Sequence, residues 1–311
     1  MRVTSNSFNT SLVDQLGSLT TRQARLQQQA ATGQRVSTPE DDPTAMQLAL
    51  NLDSESKRVG QYKSNINAQQ QVGTMTIDTM KALKKISDRA GEIATLADGL
   101  KSPQELQVYS TEVRELIKQA VQLANTKNGA NYILAGTKTD AAPFSATTDS
   151  SGQVTAVTYN GNTETADVEI AEGVKSSMQM LGANSSGSGP RGLLTDSRYG
   201  VDFFNHLISL QNHLQNGDAA AVKSTDFGNL SKDGDNFAYQ FGWVGAMQSR
   251  LEATTALHNS RGTAIEAQVS SNVDADLAQT LVKLNETQNA YKAALQTAGT
   301  VLNLSLLDYL H

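Results

Sequence analysis

Histidines, clustered carboxylates and a glycine-rich hexapeptide are where this sequence could do chemistry. The four histidines are His206, His213, His258 and His311. None has the H-E-x-x-H spacing that turns two imidazoles toward one zinc ion, so all read as surface residues. Gly187-Ser188-Gly189-Pro190-Arg191-Gly192 spells G-x-G-x-x-G. A dinucleotide site needs a strand before it, a helix after it and free backbone N–H groups facing phosphate. Here a serine-rich run precedes it and Pro190 lacks the N–H, so the segment reads as a linker. Asp233-Gly234-Asp235-Asn236 offers oxygens without the spacing of a calcium loop, and reads as a solvated turn. The carboxylates Glu40-Asp41-Asp42, and Asp274 with Asp276, could suggest acid–base work, but both groups stand at expected helix starts. A carboxylate there satisfies orphan N–H groups and the positive end of the helix dipole. Asp41, Asp42 and Pro43 are therefore assigned to a helix cap and linker. Lys81, Lys84, Lys85 and Arg89 read as the solvated face of a helix. With no cysteine there is no disulfide, thiol nucleophile or sulfur-rich zinc site. The sequence predicts no catalytic residue, no metal site and no cofactor.

Composition narrows the class further. Of 311 residues, 38% are apolar and only 18% charged, against ~25% charged in an average domain. Gln, Asn, Ser and Thr fill the difference. A net charge of -6, spread along the chain, argues against a nucleic-acid partner. No apolar run approaches the ~18 residues of a membrane helix, so no membrane partner is expected. Met1-Arg2-Val3-Thr4 opens no apolar h-region, and a Sec-type signal is not expected.

The elements that would position these residues are mostly helices. Leu12, Leu16, Leu19, Gln23, Leu26 and Ala30 step alternately by four and three. Leu277, Leu281, Leu284, Gln288, Tyr291, Leu295, Ala298, Leu302 and Ser305 repeat the alternation. That stepping lays a narrow apolar seam along a helix, matched to partner helices. Further helices are predicted from Asp42-Pro43 toward Gly99, from Pro103 to about Asn128-Gly129, and through Met247, Leu251 and Ile265. Between Gly136 and Arg198 the helical period vanishes. Val154–Tyr159 and Thr163–Ile170 read as strands of a hairpin through Asn160-Gly161, and Ser185–Pro190 as a flexible exit. A helix from Trp243 to Tyr309 would be ~100 Å long at ~1.5 Å per residue. A compact chain of this size is only ~50 Å across. The expected fold is therefore mainly α: an elongated rod of coiled-coil-like helices from both termini, with a small inserted β domain. Its expected divisions are 1–42 with 270–311 (terminal helical pair), 43–135 with 199–269 (helical rod) and 136–198 (β insertion).

The terminal segments are unusually neutral. Asp14 is the only charge between Val3 and Thr21, and only Glu286, Lys292 and Asp308 are charged between Asn285 and His311. A solitary surface helix carries charge opposite its apolar stripe. Charges are costly where both faces of a helix are buried, whereas amides and hydroxyls pair while staying neutral. The ends thus read as built for dense packing among copies. The expected assembly interface is Leu12, Leu16, Leu19, Leu26, Leu277, Leu281, Leu284, Tyr291, Leu295, Leu302, Leu306 and Leu307. Gln23 and Gln288 interrupt the seam and would fix its register.

Ordered motifs at both ends carry a resemblance covering nearly the whole chain. Met1–Thr4, Gln29–Gly33 and Ser37-Thr38-Pro39-Glu40-Asp41-Asp42-Pro43 come first, followed by Asn65, Leu123-Ala124-Asn125 and Tyr132–Thr139. Val244-Gly245, Arg250-Leu251-Glu252, Asp274–Ala278 and Ser305–Leu310 follow. In this order they resemble the flagellin superfamily. Pro43 after the Asp pair, and the ending Leu-Asp-Tyr-Leu-His, are more similar to its hook–filament junction branch than to filament flagellins. The resemblance implies a non-enzymatic structural adaptor in the bacterial flagellum, extracellular and exported by the flagellar type III system. It implies as partners a ring of copies of itself, the other hook–filament junction protein, flagellin, and an export chaperone on the C-terminal segment. The alternative it leaves open is a filament-forming flagellin.

Overall fold

The computed structural model describes the backbone of residues 3–309 and the side chains of 10–300. The helices are α1 (Val3–Thr32), α2 (Pro43–Leu96), α3 (Pro103–Ala124), α4 (Phe203–Gln215), the single turn α5 (Ala219–Ala221), α6 (Phe227–Val273) and α7 (Leu277–Tyr309). A π-helical turn, Val222–Asp226, leads into α6. The strands are β1 (Lys127–Asn128), β2 (Asn131–Tyr132), β3 (Phe144–Thr148), β4 (Val154–Tyr159), β5 (Val168–Ala171), β6 (Val174–Ser176), β7 (Leu181–Asn184), β8 (Gly192–Asp196) and β9 (Val201–Asp202). The chain is mainly α with a small β region, as its periodicity predicts. It packs as two compact units, residues 1–58 with 260–311 and residues 59–259. The expected boundary at 42/43 falls inside the first unit, because the opening turns of α2 pack with the last turns of α6 there.

Local chemistry sets the helix ends. Asp42 caps α2, accepting the Ala45 N–H on Oδ1 at 3.0 Å, with Pro43 filling the first turn. Ser102 and Glu105 form a reciprocal capping box on α3, where Pro103 again opens the helix. That helix stops at Ala124, before the expected Asn128-Gly129. Asn125 turns outward to hydrogen-bond both the N–H (2.9 Å) and the C=O (2.8 Å) of Phe144. Of the expected solvated basic face, Arg89 instead reaches across to α3 and grips Glu112 through two bonds, 2.6 and 3.1 Å.

In the unit 59–259, α2, α3, α4 and α6 enclose a core of Ile66, Met80, Leu83, Ile117, Leu207 and Phe237. Phe203 meets Phe237 edge to face at 5.6 Å, and Phe204 meets Phe144 at 5.2 Å. The strands decorate this bundle in small sheets. β3 and β4 pair antiparallel, β5 pairs with β6, and β7 lies parallel to β8, which pairs with β9.

The hairpin expected at Asn160-Gly161 does not form. The turns lie at Gly152 (φ 80°), between β3 and β4, and Gly173 (φ 69°), between β5 and β6. Gly161 keeps no positive φ, so the turn that such a pair favours is absent. Its missing Cβ instead lets the Tyr159 ring and the Ala135 carbonyl close over it. Nor is the Ser185–Pro190 segment a free linker: Asn184 Nδ2 donates to the carbonyls of Ser188 (2.7 Å) and Pro190 (2.6 Å). From α6, Asn236 donates to Leu193 O at 2.6 Å and Gln240 to Arg191 O at 3.0 Å.

The histidines and Asp233-Gly234-Asp235-Asn236 also differ from expectation. The latter lies inside α6, with Asp233 and Asn236 buried. His206 Nδ1 donates to Asp233 at 2.7 Å, and His213 Nδ1 to Asp226 at 2.7 Å. His258 is buried, stacked on Tyr62, and donates from Nε2 to Ile170 O at 2.7 Å. His311 lies outside the described residues. Spacing rules search for metals; they are blind to a histidine whose partner is a distant carboxylate or carbonyl.

The Tyr132–Thr139 motif now has a physical role. Gly136 sits at φ 66°, and a Cβ there would lie 2.5 Å from Asn162 O. Tyr159 donates its hydroxyl to Leu134 O (3.1 Å) and Asn162 O (3.0 Å). Burial pushes its phenol up to about 12. Gly136→Ala should therefore cost more than ~1 kcal/mol in urea denaturation. His206→Ala, which strands the buried Asp233 carboxylate, should cost about 3–5 kcal/mol in the same assay. Between pH 10 and 12 the folded chain keeps the Tyr159 proton that the unfolded chain releases, so stability should fall as pH rises through that window. Tyr159→Phe should flatten that part of the pH profile of the unfolding midpoint.

Candidate assembly interface

In the unit formed by residues 1–58 and 260–311, the turn from α1 into α2 is knitted to the turn from α6 into α7. Gly33, at φ 72°, ends α1, its N–H bonded to Gln29 O at 2.9 Å. The chain then crosses the end of α6. Arg35 and Val36 donate their N–H groups to Val273 O (2.7 and 3.3 Å), and Ala275 N–H returns a bond to Gly33 O at 2.8 Å. Gln34 and Asp274 face each other as an antiparallel bridge. Beneath them Val36, Ala45 and Val273 form a small core, with Met46, Ala49 and Val269 against it. The break between the last two helices thus falls at 274–276, with Asp276 Oδ1 accepting the Gln279 N–H (3.0 Å) as cap of α7.

Asp41 is not a helix cap but the hub of this turn. Its Oδ2 accepts from the N–H groups of Ser37 (3.1 Å) and Thr38 (3.2 Å) and from both hydroxyls, while Oδ1 meets Arg25 of α1 at 2.9 Å. The Ser37 and Thr38 N–H bonds, with Arg25 beside them, hold its carboxyl below the usual range. The cap bond from Ala45, with Arg35 at 3.6 Å, does the same for Asp42.

α1 and α7 pack along each other. From residue 10 to 28 of α1, only Leu12, Leu16, Leu19, Gln23 and Leu26 turn away from water, with Leu26 fully buried. That is the stripe its leucine rhythm predicts. α7 answers with a different stripe: Thr280, Leu284, Thr287, Tyr291, Ala294 and Ala298 are buried or half-buried, again stepping by four and three. Leu277, Leu281 and Leu295 are instead 49%, 51% and 46% exposed, with Val282 beside them at 56%. Small side chains win the seam because they let helix axes approach closely. Thr287 can join it because its hydroxyl is satisfied by Lys283 O at 2.7 Å, leaving its methyl free to pack. Counting leucines alone hides this, since threonine reads as polar. Gln23 and Gln288 are both half-buried. The side chains of Leu302, Leu306 and Leu307 lie outside the described residues. Covering Leu281 or Leu295 fully would still gain roughly 1 kcal/mol each, half of a leucine's burial free energy.

Among the described residues no cluster of His, Asp or Glu could hold a metal, and no helix is long and apolar enough to cross a membrane. Residues 3–139 match the bacterial flagellin N-terminal helical region. Flagellar hook-associated protein 3 of Salmonella typhimurium is 25% identical over 299 residues, covering 91% of this chain and 92% of the relative. The protein of that name from Escherichia coli is also 25% identical, over 90% of each chain. Among solved structures, Bacillus cereus FlgL matches with a TM-score of 0.55 at 21% identity, over 70% of this chain and 97% of that one. The flagellar junction protein FlgL from Legionella pneumophila matches at 0.56 and 13% identity, over 73% and 100%. Over residues 3–139 the chain is similar to the flagellin N-terminal helical region, and over nine-tenths of its length to these hook-associated relatives, in keeping with helices that pair from the two ends of the sequence.

Proposed function

We propose that this protein is a structural adaptor at the hook–filament junction of the bacterial flagellum. Its likeness to flagellin's N-terminal region and to hook-associated proteins makes this a structural protein, not an enzyme. The observation that carries the junction reading is the outward stripe of α7. The chain keeps Leu277, Leu281, Val282 and Leu295 in water although α1 lies alongside. Single apolar side chains on a surface are ordinary, but several on one helix mark a surface waiting for a partner. In this reading neighbouring copies cover the stripe, closing a ring by homotypic packing of terminal helices. The ring contacts the other junction protein on the hook side and flagellin on the filament side. The protein reaches that place through the flagellar type III channel, with an export chaperone on its C-terminal segment until then.

Relatives spanning nine-tenths of this chain are named for hook association, which favours the junction over the alternative of a filament-forming flagellin. Scarcity of the protein in sheared filaments, measured by quantitative mass spectrometry, is the expected result; abundance equal to the main filament subunit would favour the alternative.

Leu281→Asp and Leu295→Asp should leave the circular-dichroism spectrum and thermal midpoint of the purified protein nearly unchanged, since both side chains are already half in water. In cells lacking the native gene, both variants should be secreted yet fail to restore swimming. Normal motility in both would contradict the reading. Leu284→Asp, placed in the seam itself, should also lower the thermal midpoint.

A further inference from the structure

The unit 59–259 carries a cleft that nothing above uses, lined by Gln179, Pro190, Arg191, Tyr199, Tyr239 and Trp243. The Arg191 guanidinium lies over the Tyr199 ring at 3.7 Å and the Tyr239 ring at 4.5 Å. Its Nε is buried without a hydrogen-bond partner. Neighbouring Arg198 is fully occupied: it pairs with Asp196 at 2.6 Å and donates to Gly189 O at 3.0 Å, which fixes the cleft's loop wall. Arg191 is therefore a cation immobilised by two rings, with donors left over. Tyr199 and Tyr239 stay 51% and 50% exposed around it. Arginine, tyrosine and tryptophan in a fixed cleft are the residues that dominate protein–protein contacts, because little side-chain entropy remains to be lost. The natural complement of a guanidinium fork is a carboxylate.

The chain itself offers one. The β5–β6 hairpin and its approach carry Glu164, Asp167, Glu169 and Glu172, all exposed, against Lys175 alone. The hairpin's approach touches its own cleft, where the Ala166 N–H donates to Gln179 at 2.9 Å, but the hairpin's tip at Glu172 is not part of the lining. The hairpin is held to α6 at His258, 15 residues beyond Trp243, or about 22 Å along the helix at ~1.5 Å per residue.

We propose that the Arg191 cleft receives the acidic β5–β6 hairpin of a second copy, with Glu172, beside the turn glycine Gly173, as the carboxylate that enters. Two unlike surfaces meeting head to tail generate a ring or a helix rather than a closed pair. The proposal rests on the junction reading for the place where copies meet, but not for the contact itself. The chain has no cysteine, so Ser188→Cys on the rim of the cleft and Lys175→Cys on the hairpin supply the only thiols. With both substitutions on one chain, a short bismaleimide applied to isolated hook–filament preparations should give a ladder of dimers and higher oligomers of this protein. Adding Arg191→Glu should cut the cross-linked fraction about tenfold, the worth of a charge-assisted bond. Adding Glu172→Arg to that variant should restore it. The protein present in the preparation but giving no ladder, or joined to a different subunit, would overturn the proposal. The protein missing from the preparation would count against the junction reading instead. The same cross-link on concentrated purified protein at low salt then decides the cleft: heterologous dimers support it, their absence refutes it.

Discussion

Two helices lying side by side can hide only one stripe each, and this sets the terms for the terminal unit. α1 spends its leucines on that stripe, whereas α7 spends threonine and alanine and leaves leucine outside. A helix selected only to stabilise its own chain would carry charge on the outward face. Here the outward face is apolar in part, carries only Lys283, Glu286 and Lys292 as charges between Leu277 and Thr300, and is otherwise built from amides, hydroxyls and small residues. Such a sparsely charged surface repels its like only weakly, and most of it can be buried later without stranding an ion.

The seam needs an anchored end. Main-chain bonds between residues 33–36 and 273–275, reinforced by Asp41 and its four donors, bring the end of α6 to the start of α2 and set α1 and α7 off from one point. The carboxylates at these turns, which could have suggested acid–base chemistry, organise backbone N–H groups. In the unit 59–259 the same principle recurs with buried groups. Asn125, Asn236, His206 and His258 each satisfy a partner far from them in sequence, and Asn125, Asn236 and His258 bind short strands too small to stand alone.

Helices were legible where local rules govern them. Pro43 after Asp42, and Pro103 after Ser102, mark helix starts, and the leucines of α1 mark its buried stripe. What the sequence hid was non-local. Asn160-Gly161 carries a hairpin signal, yet Tyr159 and Ala135 close over Gly161 and the turn goes to Gly152 and Gly173 instead. His206, His213 and His258 read as exposed because nothing adjacent in sequence explains them; their partners lie on other elements. On α7 the error lay in ranking leucine above threonine. Once its hydroxyl bonds the preceding turn, a threonine offers a methyl group to the seam, and the displaced leucines become the candidate interface with neighbours.

The central claim is that the outer face of α7 meets water in the free protein and is covered in the flagellum. Leu281→Cys places a single thiol on that face, and its rate of reaction with a maleimide can be compared between free protein and isolated hook–filament structures. The account predicts labelling near the rate of an exposed thiol in the free protein and at least ~10-fold slower labelling after assembly. Equal rates in the two states would contradict it.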